Sequence, residues 1–133
     1  RDIRNFPKEG IIFKDITPLL MDVKGVKYVI DLLVENLHGQ KIDKVVGMES
    51  RGFFFGMLLA QRLEAGFIPV RKKGKLPYKT FSQTYDLEYG TAEAVVKLVE
   101  RLGGDIVQID FLMELHFLKG RDKLKNYEVY SIL

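Results

Sequence analysis

Val26, Val29, Ile30, Leu33 and Leu37 recur at the three- and four-residue spacing of one helix face, and Gly39 follows where a C-terminal cap belongs, so a helix is predicted over 26–37. The short apolar run over 43–48, with Val45 and Val46, predicts a strand. The segment 53–63 reads as a second helix, ended by Gly66, and Phe67 to Val70 as another strand. From Lys73 to Thr84 the chain carries Gly, Pro, Ser and Thr with little periodicity, which predicts a long loop or flap leading into the alternating segment TYDLEYG. Thr91 then suits the N-cap of a helix whose Ala92, Val95, Val96, Val99 and Leu102 share one face and which Gly103-Gly104 ends. Two further strands are predicted over 106–112 and 127–133. Helix, strand, loop, helix, strand is the alternation that builds a mostly parallel sheet flanked by helices, so the expected fold class is α/β. Neither a repeat nor a linker divides the chain, and 1–133 is expected to form one domain.

Composition narrows the chemistry more than the fold. A hydrophobic fraction of 47% with 29% charged residues is that of a globular protein rather than a disordered one. Apolar runs all fall well short of the roughly 20 residues that span a bilayer, and RDIRNFPKEG lacks the apolar stretch of a secretory signal, so no membrane partner and a cytoplasmic location are expected. The absence of cysteine removes disulfides, thiolate metal sites and cysteine nucleophiles. His38 and His116 alone do not suggest a metal centre, and His116, set between Leu115 and Phe117, is read as structural. A net charge of +3 is small for this length and does not by itself imply nucleic acid. The positive residues are nevertheless uneven. RKKGK, Arg71 to Lys75, is either a solvated basic loop or part of an anion site.

The most informative stretch is VVGMESRGFFFG, Val45 to Gly56, where Glu49-Ser50-Arg51 interrupts apolar sequence and glycines flank the interruption. A strand running through such a turn into a helix is where α/β sheets bind ligands, beyond the carboxyl ends of their strands. Glycine permits close backbone approach, amides at the helix start hold phosphate oxygens, and Arg51 adds a forked, permanently charged donor. The plain alternative is a surface turn in which Arg51 pairs with a nearby acid. The basic cluster tips the balance toward a ligand with more than one anionic group, such as a pyrophosphate.

FPKEGIIFKDITPLL, VVGMESRGFFFG, VRKKGKLP and YDLEYG, in that order, resemble the adenine phosphoribosyltransferases, and FLMELHFLKGRDKL followed by YSIL is similar to their C-terminal part. The resemblance implies a type I phosphoribosyltransferase fold with a flap and an N-terminal base-binding hood. It further implies transfer of the phosphoribosyl group of 5-phosphoribosyl 1-pyrophosphate to adenine, giving AMP and pyrophosphate, with Mg²⁺ carried mainly by the sugar pyrophosphate. Glu49, Ser50, Arg51 and Gly52 then correspond to the pyrophosphate loop. Ile12, Phe13 and Lys14 correspond to the adenine pocket, Phe13 stacking on the purine and the backbone of Ile12 and Lys14 reading its edge. Without the resemblance, Phe13 would be read as a core aromatic. Arg71, Lys72 and Lys75 match a basic segment that reaches the pyrophosphate across a dimer interface, which implies a homodimer. Glu88 and Tyr89 match the flap, Glu88 being either the base that takes the N9 proton or a positioning group. Thr91 matches the last threonine of the ribose-phosphate loop.

The resemblance breaks between Gly90 and Thr91. There the family has a strand ending in two acids and a phosphate loop, V-V-D-D-L-L-A-T-G-G-T, whereas here DLEYG runs directly into TAEAVVKL. The family's N-terminal helix is missing as well, so the domain is expected to be incomplete at both places. Losing a central strand would expose ladder edges on both neighbours, and the expectation is therefore an intact polypeptide that contains the segment. Two other functions are weighed against the enzyme. One is a non-catalytic module of the same fold that binds a purine or phosphoribosyl pyrophosphate. The other takes RKKGK as a nucleic-acid patch; Glu88 and the base-pocket stretch favour the enzyme.

Overall fold

The computed structural model describes residues 1–82 and 91–133. Its first elements are two short strands, β1 (Asp2–Arg4) and β2 (Ile12–Lys14), paired antiparallel with Ile3 opposite Phe13. The sequence pattern did not anticipate them, because three residues of mixed polarity are too few to show a period of two. Ion pairs hold the pair shut, Lys14 Nζ to Asp2 at 2.7 Å and Arg1 Nε to Asp15 at 2.8 Å. Asp15 also accepts from the Thr17 amide at 2.9 Å and hydroxyl at 2.6 Å, which starts the single turn α1 (Thr17–Leu20).

Helix α2 (Val23–Asn36) begins three residues before the predicted start, because Asp22 caps it by accepting from the Lys24 amide at 3.0 Å. It buries Val29, Ile30 and Leu33 and ends in two left-handed residues, His38 and Gly39. Strand β3 (Lys44–Met48) leads into α3 (Arg51–Arg62) and then β4 (Gly66–Val70), which pairs parallel to β3 from Lys44 opposite Gly66 to Met48 opposite Val70. Phe55, Leu59 and Ala60 are the buried face of α3.

The end of α3 differs from the expectation. Gly66 does not cap it but opens β4. The cap is made by Glu64, at φ 54°, with Ala65 N donating to Ala60 O at 2.9 Å and Glu64 N to Gln61 O at 3.3 Å. That is the two-bond Schellman closure, built on a side chain that pays left-handed strain. Helix α4 (Thr91–Arg101) closes the same way on the glycine the sequence predicted: Gly103, at φ 81°, donates to Glu100 O at 2.9 Å and Gly104 to Val99 O at 3.0 Å. Thr91 stands inside the helix as its first residue rather than before it.

The last strands, β5 (Ile109–Phe111) and β6 (Val129–Ser131), are parallel and shorter than predicted, with 3₁₀ turns at His116–Leu118 and Gly120–Lys123 between them. Val29, Ile30, Leu33, Phe55 and Leu59 form the buried cluster; Val45 of β3 and Leu112, Tyr130 and Ile132 of the β5–β6 region pack against it. Both parallel pairs therefore lie on the α2–α3 layer. The α/β class holds, but among the described residues the expected sheet is three separate two-stranded sheets, not one continuous ladder. No described helix is long and apolar enough to cross a membrane.

Replacing Glu64 by glycine removes the left-handed strain without touching the core, since Glu64 is exposed. Glu64→Gly is expected to raise unfolding stability by about 1 kcal/mol, measured by urea denaturation, whereas Gly103→Ala lowers it by a similar amount.

Candidate functional site

The turn Glu49–Ser50 joins the carboxyl end of β3 to α3, and Glu49 extends the ladder by donating from its amide to Val70 O at 2.9 Å. The Glu49–Ser50 peptide is cis. Ser50 occupies the N-cap position with its hydroxyl making no capping bond, so the first amides of α3 keep no side-chain partner there. A Cβ on Gly47 would lie 2.6 Å from the Phe67 ring and 2.9 Å from Gly52 O, which is why the start of α3 can rest directly on the strand.

Glu49 does not face outward to an anion. Its carboxylate accepts from Arg71 Nη2 at 3.0 Å and from the Lys72 amide at 3.2 Å, while Arg71 Nη1 donates to Lys75 O at 3.1 Å. The acid thus fastens the basic loop after β4 to the turn after β3. The Arg71 hydrogen bond, then the Lys72 amide, hold the Glu49 carboxyl below its ordinary 4.5, with Arg71 and Lys75 adding Coulombic attraction. Glu49 and Arg71, both assigned by resemblance to pyrophosphate, partner each other here. Lys72 and Lys75 remain exposed on the same loop.

In β2 the ladder alternation places the backbone that the resemblance implies would read a base. Asp15 N donates to Arg1 O at 2.9 Å, which makes Arg1–Asp15 a hydrogen-bonded pair and Ile3–Phe13 the next. Ile12 and Lys14 consequently turn their amides and carbonyls away from β1. Phe13 between them is half-buried and outside the buried cluster, so it is not the core aromatic that composition alone suggests. Two contacts hold it: Phe6 meets it edge to face with centroids 5.2 Å apart, and the Arg51 guanidinium carbon lies 4.9 Å from its ring centroid. Phe6 had no signal in the sequence, since only the hairpin turn brings it back to Phe13. The Lys14 side chain is taken up by Asp2.

The structure thus gathers Ile12, Phe13, Lys14, Glu49, Ser50, Arg51, Gly52, Arg71, Lys72 and Lys75 around the ends of β2, β3 and β4. Glu88 and Tyr89 lie outside the described residues, as does the side chain of Thr91. His116 is exposed on a 3₁₀ turn, its Nδ1 3.7 Å from Glu114, rather than packed between its apolar neighbours. A cavity of about 260 Å³ lies between α4 and β5, lined by Ala92, Glu93, Phe111, Met113 and Arg121 among others, and shares no residue with this constellation. Asp110 on β5 is a half-buried carboxyl that desolvation pushes up, against a 2.6 Å hydrogen bond from Gln108. No group of three or more His, Asp or Glu among the described residues could hold a metal ion.

A glycine-flanked turn at the end of a parallel pair, a basic loop tied to it and an aromatic strand beside it, on this α/β framework, are the arrangement of the type I phosphoribosyltransferase fold. No protein-family model matches the chain. The adenine phosphoribosyltransferase of Flavobacterium johnsoniae is 55% identical, covering 100% of this chain and 95% of its own. Among solved structures, that enzyme from Thermoanaerobacter pseudethanolicus superimposes with a TM-score of 0.92 at 45% identity, covering 99% of this chain and 93% of its own. The Saccharomyces cerevisiae enzyme, solved with adenine and an imino-altritol bisphosphate, gives a TM-score of 0.89 at 39% identity over 100% and 93%. The chain belongs to the adenine phosphoribosyltransferase family. The alignment with the Flavobacterium relative runs over 161 positions against 133 residues, so at least the difference of 28 is filled by the relative alone.

Because the Glu49 carboxyl is depressed in the folded chain, its contribution to stability is present above pH 4.5 and is lost as pH falls below that value through the lowered one. Thermal unfolding of the native chain and of Glu49→Gln is therefore expected to differ at neutral pH and to converge on acidification below 4.5.

Proposed function

We propose that the constellation transfers the phosphoribosyl group of 5-phosphoribosyl 1-pyrophosphate to N9 of adenine, releasing pyrophosphate and forming AMP, in one phosphoribosyltransferase domain. The observation that carries this reading is Arg51 set 4.9 Å from the Phe13 ring, which puts an anion-binding charge beside a stacking aromatic. A nucleobase on Phe13, its edge read by the outward backbone of Ile12 and Lys14, faces a sugar whose leaving group lies toward the first amides of α3.

The chemistry follows from charge. As the bond from C1′ to the pyrophosphate oxygen breaks, the sugar gains oxocarbenium character and the leaving group keeps the electron pair. Arg51, the amides of Ser50 and Gly52, and Lys72 and Lys75 stabilise that negative charge. Glu49 acts through Arg71, as a positioning residue for the basic loop. Mg²⁺ carried by the sugar pyrophosphate would supply further neutralisation of the leaving group. Glu88 takes the N9 proton or orients the base, Tyr89 belongs to the same flap, and Thr91 approaches the ribose phosphate. In a cytoplasmic homodimer, Lys72 and Lys75 extend toward the partner's site while Arg71 stays tied to Glu49. A non-catalytic module of this fold is the second reading, favoured by the 28 or more positions that only the relative fills.

The test is formation of AMP from adenine and 5-phosphoribosyl 1-pyrophosphate with Mg²⁺, compared with guanine and hypoxanthine. The enzyme reading expects adenine to be the preferred base and Phe13→Ala to raise the KM for adenine about tenfold, in line with base–aromatic stacking. Binding of adenine and pyrophosphate without any AMP would establish the module instead.

A further inference from the structure

We propose that Arg51 is a gate on the base site: with the pyrophosphate site empty its guanidinium covers a face of Phe13, and a bound pyrophosphate draws it away and bares the ring. The inference rests on the reading above, in which adenine stacks on Phe13. Its physical basis is the unequal tethering of the two arginines. Arg71 is held by the Glu49 carboxylate and the Lys75 carbonyl. Arg51 is exposed, and its side chain has no ion pair or hydrogen bond among the described residues; the ring is its one described contact. As the first residue of α3 its backbone is fixed, but its long side chain can swing between Phe13 and the amides at the helix start.

The two positions differ in strength. A cation over an aromatic ring at an exposed site is a weak contact, whereas a guanidinium on phosphate oxygens forms short, paired, charge-assisted hydrogen bonds. Pyrophosphate therefore wins the arginine whenever it is present. In its absence an incoming base must displace the cation, which at the ordinary strength of an exposed contact weakens base binding about two- to fivefold. Linkage makes the effect mutual: the base, by taking the ring, releases Arg51 toward the anion and tightens pyrophosphate by the same factor. A chain with no anion bound is thereby biased against holding a base that cannot react.

Two measurements on the soluble chain test this. In the native chain the Arg51 Nε–Hε resonance is expected to carry a ring-current shift that is lost on adding inorganic pyrophosphate and is absent from Phe13→Leu. In equilibrium dialysis, inorganic pyrophosphate is expected to tighten adenine about two- to fivefold, while Arg51→Ala binds adenine at the tightened level and ignores pyrophosphate. An Arg51 resonance that pyrophosphate leaves unmoved overturns the gate. So does adenine affinity in the native chain that pyrophosphate does not change. Weaker adenine binding by Arg51→Ala overturns it too, for Arg51 would then be a support for Phe13. If adenine binds in no arm although the Arg51 resonance moves, the nucleobase reading itself falls, and the gate with it.

Discussion

The site depends on how closely α3 can approach β3. With a side chain at Gly47 the helix start would collide with its own strand, because the added carbon would sit 2.9 Å from Gly52 O and 2.6 Å from Phe67. Gly56 repeats the constraint one helical turn later, where a Cβ would come within 2.8 Å of the same ring. Phe67 can fill the space between strand and helix only because both glycines leave it open, and it meets Phe53 edge to face with centroids 5.9 Å apart. Everything functional in the turn follows from that packing. The first amides of α3 are delivered to the end of the strand, and Arg51 emerges at a fixed point within reach of β2.

Once the turn is fixed, the distribution of charge is settled by one carboxylate. A cluster of five positions containing four cations would repel itself if left to solvent, and its members would sample many arrangements. Glu49 pairs with the first of them and with the following amide, which sets the loop's direction and leaves the lysines beyond it outward. An acid beside so many cations looks wasteful if each residue is counted as a ligand. It is economical as a hinge pin, since it spends one positive charge to give the others a defined position. Among the described residues Arg51 has no carboxylate partner, and the acid two positions before it is already engaged by Arg71 and the Lys72 amide.

The framework was legible where a local rule governs it. Periodicity marked α2, α3 and α4, and Gly103 announced the end of α4 because the left-handed cap there uses the residue that adopts it without strain. At Glu64 the same closure is made by a residue that tolerates it poorly, and the next glycine, Gly66, misled the reading toward a strand's first residue. The candidate site was legible as a set of residues but not as a set of partners. VVGMESRGFFFG and RKKGK showed where charge collects, yet the pairing of Glu49 with Arg71 spans 22 residues and is made by the parallel register of β3 and β4, which no local pattern encodes. The contact of Phe13 with Arg51 joins two elements still farther apart in folding logic, a hairpin and a helix start.

The divided sheet bears on how much of the activity this framework can carry. Parallel strands are normally covered on both faces and paired on both edges, yet Val45 and Val46 of β3 are only half-buried, and every residue of β5 and β6 is as well. A further strand along the edges of β3 and β5 that have no partner among the described residues would satisfy their open backbone groups and deepen the burial of those side chains, at about 1.5–3 kcal/mol for each large apolar one brought fully inside. At least 28 positions of the Flavobacterium relative have no counterpart here, ample length for one strand and a loop. The candidate site does not wait on that segment, because β2, the turn after β3 and the loop after β4 are held by contacts among themselves.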